Sequence, residues 1–354
     1  MTDGVLPDRQ ITGMIDGGQI TATEPVTPAQ VQPASLDLRL GAVAYRVRAS
    51  FLAGPGRTVA DRLERFRMHR MDLTGGAVLE KGCVYVVPLM EGLALPAGVS
   101  AAANAKSSTG RVDCLTRVIT DHGVEFDCIP DGYAGPLYAE ICPRSFSVLV
   151  EPGLALNQIR FRRGRAVLSD AELAARHADT PLVDGQAVIS DGLGFSVDLT
   201  PGTGGLVGYR AKPHTGVIDM TRVGAHDPGQ FWETVTGDEG GIILDPGAFY
   251  ILVSREAVTI PPDCAAEMSP YLAMVGEFRV HYAGFFDPGF GHGVPARGVL
   301  EVRCHEAPFV LEHGQVVGRL VYERMAALPD LLYGGDIASN YQGQGLKLSK
   351  HFRV

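Results

Sequence analysis

Three groups of residues in this 354-residue chain have types and spacings that could do chemistry. The first is the run KSSTGR at 106–111. Here a turn is followed by serines, with an arginine about one helical turn further on. Hydroxyls, backbone N–H groups and a guanidinium in this order can hold phosphate oxygens. A solvated turn or helix cap is the plainer interpretation of so short a motif.

The second group is the segment Phe286-Asp287-Pro288-Gly289, followed by a strand-like stretch that carries Glu301 between apolar residues. The pattern predicts a hairpin whose returning strand bears a carboxylate. In a buried strand, desolvation would raise the pKa of that carboxyl toward the range useful for proton transfer. The alternative is a glutamate on the solvent face of an alternating strand.

The third group lies near the C-terminus, where Tyr333, Tyr341 and Gln344 stand among glycines and amide side chains. Such a segment suits closure over a bound ligand. An ordinary frayed terminus is the alternative.

The chain also repeats itself, which changes the weight of these motifs. The pairs at an offset of 165 are Leu79/Leu244, Gly82/Gly247, Tyr85/Tyr250, Leu95/Ile260 and Pro96/Pro261; those at 161 are Glu151/Glu312, Gly153/Gly314, Phe161/Tyr322 and the runs 35–38/196–199. Two copies of a unit of roughly 160 residues explain this pattern. Each copy then lacks something that the other keeps.

The serine motif is present in one copy only, because the matching place in the second half reads SPYLAM at 269–274. The scaffold therefore does not require it, which favours a binding role. The first half keeps a glutamate, Glu140, in the strand that corresponds to the one with Glu301, but its preceding turn reads Pro130-Asp131 in place of Asp287-Pro288.

Glycine and proline punctuate short runs rich in β-branched and aromatic residues, which is typical of strands in a sandwich or barrel. We expect an all-β protein of two tandem jelly-roll-like domains, with short helices near 11–15 and 170–176. The predicted boundaries are a first domain at 1–165, a linker with a short helix at 166–190 and a second domain at 191–354.

The net charge of −9 argues against a nucleic-acid polymer as partner, although a local donor cluster can still hold a small anion. The six cysteines form no Cys-x-x-Cys pair, and the first residues form no signal peptide. With no long apolar run, a soluble protein of the cytoplasm without membrane contact is expected. The signatures of zinc deaminases, dinucleotide-binding folds and P-loops are absent from the sequence.

In order along the chain, these motifs resemble the dCTP deaminase family, part of the trimeric dUTPase-like superfamily. The resemblance covers most of both halves and is carried by LPDRQI at 6–11, PASLDLRLG at 33–41, KSSTGR at 106–111, DPG at 287–289 through Glu301, and YQGQ at 341–344. Lys106 stands where the family motif begins with arginine. The resemblance implies two dUTPase-type β domains.

It also implies hydrolysis of the 4-amino group of dCTP to give dUTP and ammonia, without zinc and with Mg²⁺ on the triphosphate. By that resemblance Glu301 would shuttle protons, and Asp287 would hold the sugar. Ser107, Ser108 and Arg111 would grip the phosphates or support the attacking water, so that Ser108 and Arg111 count as catalytic beside Glu301. The other substrate-binding residues would be Lys106 of the same motif and, in the closing tail, Tyr333, Tyr341 and Gln344. A homo-oligomer, either a trimer or a pseudo-trimeric arrangement of halves, is expected.

Two hypotheses about the site remain open. In one, the motif of the first half joins Asp287, Glu301 and the tail of the second in a composite site, one per chain or one per pair of facing halves. In the other, three first halves form the site with Glu140 as base, and the second half is a structural copy. Rival functions are a dUTP pyrophosphatase or bifunctional deaminase, and a nucleotide-binding protein without activity on the same scaffold.

Overall fold

The computed structural model describes residues 2–237, 241–270, 278–281, 284–334 and 345–353. Strands dominate it, and its helices are short. The helices are α1 Asp8–Asp16, α2 Val59–Phe66, α3 Ser107–Gly110, α4 Asp170–Asp179 and α5 Pro228–Phe231, with 3₁₀ turns at Pro28–Gln30 and Thr203–Gly205. Within these ranges no helix has the length and apolar character needed to cross a membrane.

The first half contains two sheets of six strands. Its strands are β1 Gly4–Val5, β2 Ile20–Ala22, β3 Val31–Gln32, β4 Ser35–Arg39, β5 Val43–Val47, β6 Arg67–Asp72, β7 Ala77–Leu79, β8 Val84–Ala94, β9 Val99–Ala105, β10 Cys114–Thr120, β11 Cys128–Ile129, β12 Ala134–Pro143, β13 Val148–Val150 and β14 Ala155–Arg163. One sheet has the order β11-β9-β14-β4-β3, with β1 beside β14. The other has the order β10-β12-β8-β5-β6, with β2 beside β8.

The second half repeats this plan with shorter sheets. Its strands are β15 Leu193–Ser196, β16 Leu206–Ala211, β17 Ile218–Asp219, β18 Trp232–Thr236, β19 Ile242–Leu244, β20 Phe249–Val258, β21 Cys264–Pro270, β22 Phe278–His281, β23 Phe285–Phe286, β24 Ala296–Cys304, β25 Phe309–Leu311 and β26 Val316–Arg324. They form the sheets β15-β26-β21-β23 and β18-β16-β20-β24-β22 and the pair β19-β25. Strand β17 crosses to the first half and runs parallel to β13.

The duplication extends to single hydrogen bonds. The hydroxyl of Tyr85 accepts a bond from the backbone N–H of Glu80 at 3.0 Å, and that of Tyr250 accepts one from Asp245 at 2.9 Å. Both pairs are five residues apart and are related by the offset of 165. The two halves are therefore copies in structure as well as in sequence.

The apolar cores show how the two copies meet. The core of the first half, around Leu36 and Phe161, continues into the second half through Phe249, Ile251 and Val299. The second core contains the other face of the same strands, Leu252, Leu300, Val302 and Cys304 among its members. Because side chains alternate along a strand, the odd-numbered residues of β24 face the first half.

The strands and helices agree with the main expectations from the sequence. The all-β architecture with few short helices is confirmed, as are helices at 11–15 and 170–176, which lie within α1 and α4. Helix α1 begins directly after Pro7 and ends before the C-cap Gly17, with Ile11 and Met14 buried.

The hairpin predicted around Asp287 is wrong in one respect. Strand β23 before the turn pairs with β21, whereas β24 after it pairs with β20 and β22 in the other sheet. The turn thus carries the chain from one sheet to the other, as strands do at the corners of sandwiches. A sequence pattern cannot separate such a corner from a hairpin, since both need the same turn residues.

Candidate active site

The serine motif forms α3, at the end of β9. Ser108, Thr109 and Arg111 are buried, while Lys106 and Ser107 are half-buried. The ammonium of Lys106 forms an ion pair with Asp37 of β4. Burial raises the pKa of Asp37, and the positive charge of Lys106 opposes that shift. The motif therefore gathers hydroxyls and two cations at one buried edge of the first half.

Arg111 meets Glu301 across the two halves. The Nε of Arg111 lies 3.9 Å from the Oε1 of Glu301, and the two side chains are 3% and 6% exposed. Burial raises the pKa of Glu301 to about 8, and the guanidinium of Arg111 only partly offsets this effect. A carboxyl in this state can both take up and release a proton near neutral pH.

Asp287 is also buried, at the corner between the two sheets. Its Oδ1 accepts a hydrogen bond from Nη2 of Arg160 at 3.0 Å. Burial raises the pKa of Asp287 and the charge of Arg160 opposes that rise. The aspartate is thus held by the first half, although it belongs to the second.

Arg160 connects the two halves through several bonds. It comes from β14, is fully buried, and donates to the carbonyls of Ala266 and Phe286 and to the carboxylate of Glu323. Its guanidinium stacks on the ring of Phe285 at 4.1 Å. Its Nη1 and Nη2 atoms thus donate to four acceptors, while its Nε has no hydrogen-bond partner among the described residues. A buried arginine needs such acceptors, because an unpaired buried charge is costly.

Glu140 lies in a different environment. It is opposite Arg117 in the register of β10 and β12, and its carboxylate accepts bonds from Arg117 at 2.5 Å and from the hydroxyl of Ser50 at 2.6 Å. Arg117 in turn stacks over Phe126 at 3.5 Å. The structure thus brings Arg111 together with Glu301, and Glu140 together with a cation of its own half.

The C-terminal part of the chain borders the same region. The N–H of Tyr333 donates to the carbonyl of Pro288 at 2.9 Å, and its ring lies 5.6 Å from that of Phe290. Ser349 donates to the carbonyl of Ser108 at 2.8 Å, and Arg111 donates to that of Lys347 at 3.1 Å. Tyr341 and Gln344 lie outside the described residues.

Two family profiles match the chain. The N-terminal domain of 2′-deoxycytidine 5′-triphosphate deaminase matches residues 2–165, and the C-terminal domain of the same enzyme matches 169–352. The chain belongs to the dCTP deaminase family.

Similar proteins agree with this membership. A crystal structure of 2′-deoxycytidine 5′-triphosphate deaminase from Agrobacterium tumefaciens is 55% identical, with a TM-score of 0.90, over 93% of this chain and 100% of that one. The dCTP deaminase, dUMP-forming, of Halobacterium salinarum is 32% identical over 50% of this chain and 90% of its own length. That of Clavibacter michiganensis subsp. michiganensis is 37% identical over 29% of this chain and 51% of its own length. The chain spans about half the length of the first curated relatives it matches.

Several residues of this dCTP deaminase family member were not singled out from sequence. Asp37, Arg117 and Arg160 are the main ones, and Lys350, whose pKa is lowered by burial and by Lys106, is another. Asp37 lies in a repeated run and Arg160 begins a basic stretch, but neither pattern indicates a partner more than 60 residues away.

Proposed function

We propose that this protein hydrolyses the 4-amino group of dCTP, giving dUTP and ammonia. The observation that carries the proposal is the contact between Arg111 and Glu301, two buried side chains from different halves. A deamination without a metal-bound water needs a carboxylate that can accept and return protons at neutral pH. The raised pKa of Glu301 supports that role.

In the proposed reaction, Glu301 takes a proton from water as the oxygen adds to C4 of the cytosine ring. Glu301 passes this proton to the ring nitrogen N3, then takes the second proton of the former water from the C4 hydroxyl and gives it to the amino group as the C4=O bond forms. The C4–N bond then breaks and ammonia leaves. Arg111 stabilises the negative charge of the carboxylate and of the oxygen that adds to the ring.

The remaining residues are proposed to bind the nucleotide. Lys106, Ser107 and Ser108 face the triphosphate, which arrives with its Mg²⁺ as part of the substrate. Asp287, held by Arg160, binds the sugar hydroxyl. Tyr333 supports the turn after Asp287 through its bond to Pro288, and Tyr341 and Gln344 remain predictions from the family resemblance.

Further hydrolysis to dUMP is the second candidate, because several relatives are named dUMP-forming. It would require a carboxylate free to activate water at the α-phosphate. Asp287 does not suit this role well, since its carboxylate is buried and paired with Arg160. We therefore favour release of dUTP.

The assembly and location follow as proposals. Arg111 and Glu301 meet within one chain, so a dimer or trimer would add stability without completing this pair. Light scattering of the purified protein would measure the number of chains. The six cysteines are free thiols, which suits the reducing cytoplasm.

The test is to incubate the protein with Mg²⁺ and dCTP or dUTP and to measure ammonia and pyrophosphate separately. We expect ammonia from dCTP and no pyrophosphate from either. Pyrophosphate in step with ammonia would establish the dUMP-forming reaction instead. Tight dCTP binding by calorimetry without ammonia would contradict the proposed activity and favour a binding protein.

A further inference from the structure

Two charge pairs of opposite polarity link β24 to the loop after α3. Glu301 and Arg303 are two residues apart on β24, so they project from the same face toward the first half. Arg111 and Asp113 are likewise two residues apart. Glu301 contacts Arg111, and Arg303 forms an ion pair with Asp113.

The Arg303 pair is firmly held at both ends. Asp113 is fully buried, and its carboxylate also accepts a bond from the hydroxyl of Ser145 at 2.5 Å. Arg303 donates to Ser145 at 3.1 Å and to the carbonyl of Gly247 at 2.6 Å. The backbone of Asp113 is fixed too, in the left-handed region at φ +52°, with its N–H on the carbonyl of Gly110 at 2.8 Å.

The Arg111–Glu301 contact is longer than the ion pair of Arg303 with Asp113, which we call the clamp. At 3.9 Å it lies beyond hydrogen-bond distance, so its strength depends on how β24 is seated against the first half. A small displacement of a positioned group can cost a large factor in rate. In the described part of the first half, Glu140 has no such clamp beside it, because Cys142 occupies the position that corresponds to Arg303.

We propose that Arg303 is a positioning residue, which through Asp113 sets the separation of Glu301 from Arg111. This inference rests on the proposed role of Glu301 in deamination. It adds that the reactive pair is aligned by a neighbouring ion pair of reversed polarity. Without the clamp, Arg111 would offset less of the burial effect, and the pKa of Glu301 would rise.

The test compares Arg303→Met with Arg303→Lys and with a matched control, Arg297→Met. Arg297 lies on the same strand and face, but its partner Asp198 belongs to the same half. We expect Arg303→Met to lower kcat for ammonia release at least tenfold with little change in KM. Arg303→Lys should recover most of that loss, and Arg297→Met should leave kcat unchanged.

A second readout does not depend on activity. The pKa of the Glu301 carboxyl, followed by carbon NMR and assigned with Glu301→Gln, should rise measurably in Arg303→Met and stay in place in Arg297→Met. Should Arg303→Met not fold, Asp113→Asn replaces it in both measurements. Wild-type protein that releases no ammonia would overturn the proposed function alone. A folded clamp variant with wild-type kcat and an unmoved Glu301 pKa would overturn the positioning role.

Discussion

Glu140 and Glu301 occupy the same position in the two copies, at an offset of 161, yet their surroundings differ. Glu140 is opposite Arg117, which neutralises it within its own sheet. Glu301 is opposite His281 in the register of β22 and β24. Among the described residues, the cation that forms an ion pair with Glu301 is Arg111 of the other half. Duplication has thus left one carboxylate with a partner in its own half and given the other a partner across the interface.

The segments that pack on the outer faces of the two sheets explain this difference. Next to Glu140, the outer face of the first sheet is covered by the segment around α2, where Phe51, Val59 and Leu63 form a small core with strand residues such as Val86. The matching face of the second sheet is covered by the first half. A sheet face that is covered by a segment of the same half leaves no space for a ligand. A face that packs against another domain can form a ligand site at the interface between the two.

The largest expected effect is on turnover in Glu301→Gln. Glutamine keeps the shape but cannot accept the proton from water, so kcat should fall by about 10²–10⁴-fold, as for loss of a general base. Single-turnover ammonia release from dCTP measures this, with dCTP affinity by calorimetry as the control. Turnover within a few-fold of wild type would remove Glu301 from the mechanism.

The next effect concerns Arg160, through which the first half holds Asp287. Arg160→Met leaves the buried Asp287 without its paired cation and leaves Glu323 with Arg162 alone, which should cost about 3–5 kcal/mol in the free energy of unfolding. Urea denaturation measures it. Arg324→Met breaks an exposed ion pair with Glu172 and serves as control, with an expected loss of about 0–1 kcal/mol. Equal losses in both variants would show that the buried Arg160 network contributes no more to stability than an exposed ion pair.

A smaller effect links Glu301 to the pH dependence of stability. Its pKa is about 8 in the folded state against 4.5 for the ordinary group, so the folded state binds the proton more tightly. The contribution of this group to stability is present below pH 4.5 and is lost as the pH rises toward 8. Between these two pH values, the free energy of unfolding falls by up to about 1.4 kcal/mol for each pH unit.

Glu301→Gln removes that titration. The variant should therefore gain stability relative to wild type as the pH rises from about 5 to about 8.5. Thermal unfolding of both proteins at each pH measures this difference. A difference in Tm that does not change with pH would mean that Glu301 has an ordinary pKa.

The smallest effect on activity is expected for Glu140→Gln. The carboxylate of Glu140 accepts hydrogen bonds from Arg117 and Ser50. The change should therefore lower the free energy of unfolding by about 1–3 kcal/mol, as for a buried polar group left poorly paired. Ammonia release by the folded protein should stay within a few-fold of wild type. Loss of turnover in this variant alone would support the hypothesis of three first halves.

The sequence alone is enough to predict the duplicated all-β fold, α1, α4 and a serine motif that occurs in one copy. It does not pair strands, which is why its pattern predicts β23 and β24 as one hairpin. The sequence also gives no sign of the roles of Arg117 and Arg160, since their partners are defined by strand register and by contact between the halves. Such contacts depend on tertiary packing, and no local periodicity carries them.

The central claim is that Arg111 and Glu301 of one chain act on one nucleotide. In the most direct test, Arg111→Ala and Glu301→Gln chains with different tags are co-expressed and purified through both tags. Ammonia release by this mixed complex is compared with that of each parent variant alone. Where no complex forms, a mixture of the two purified variants is used instead. A site within one chain predicts that every sample stays as inactive as its parents. Recovery of turnover well above both parents would mean that the two residues meet between chains, and would contradict the account.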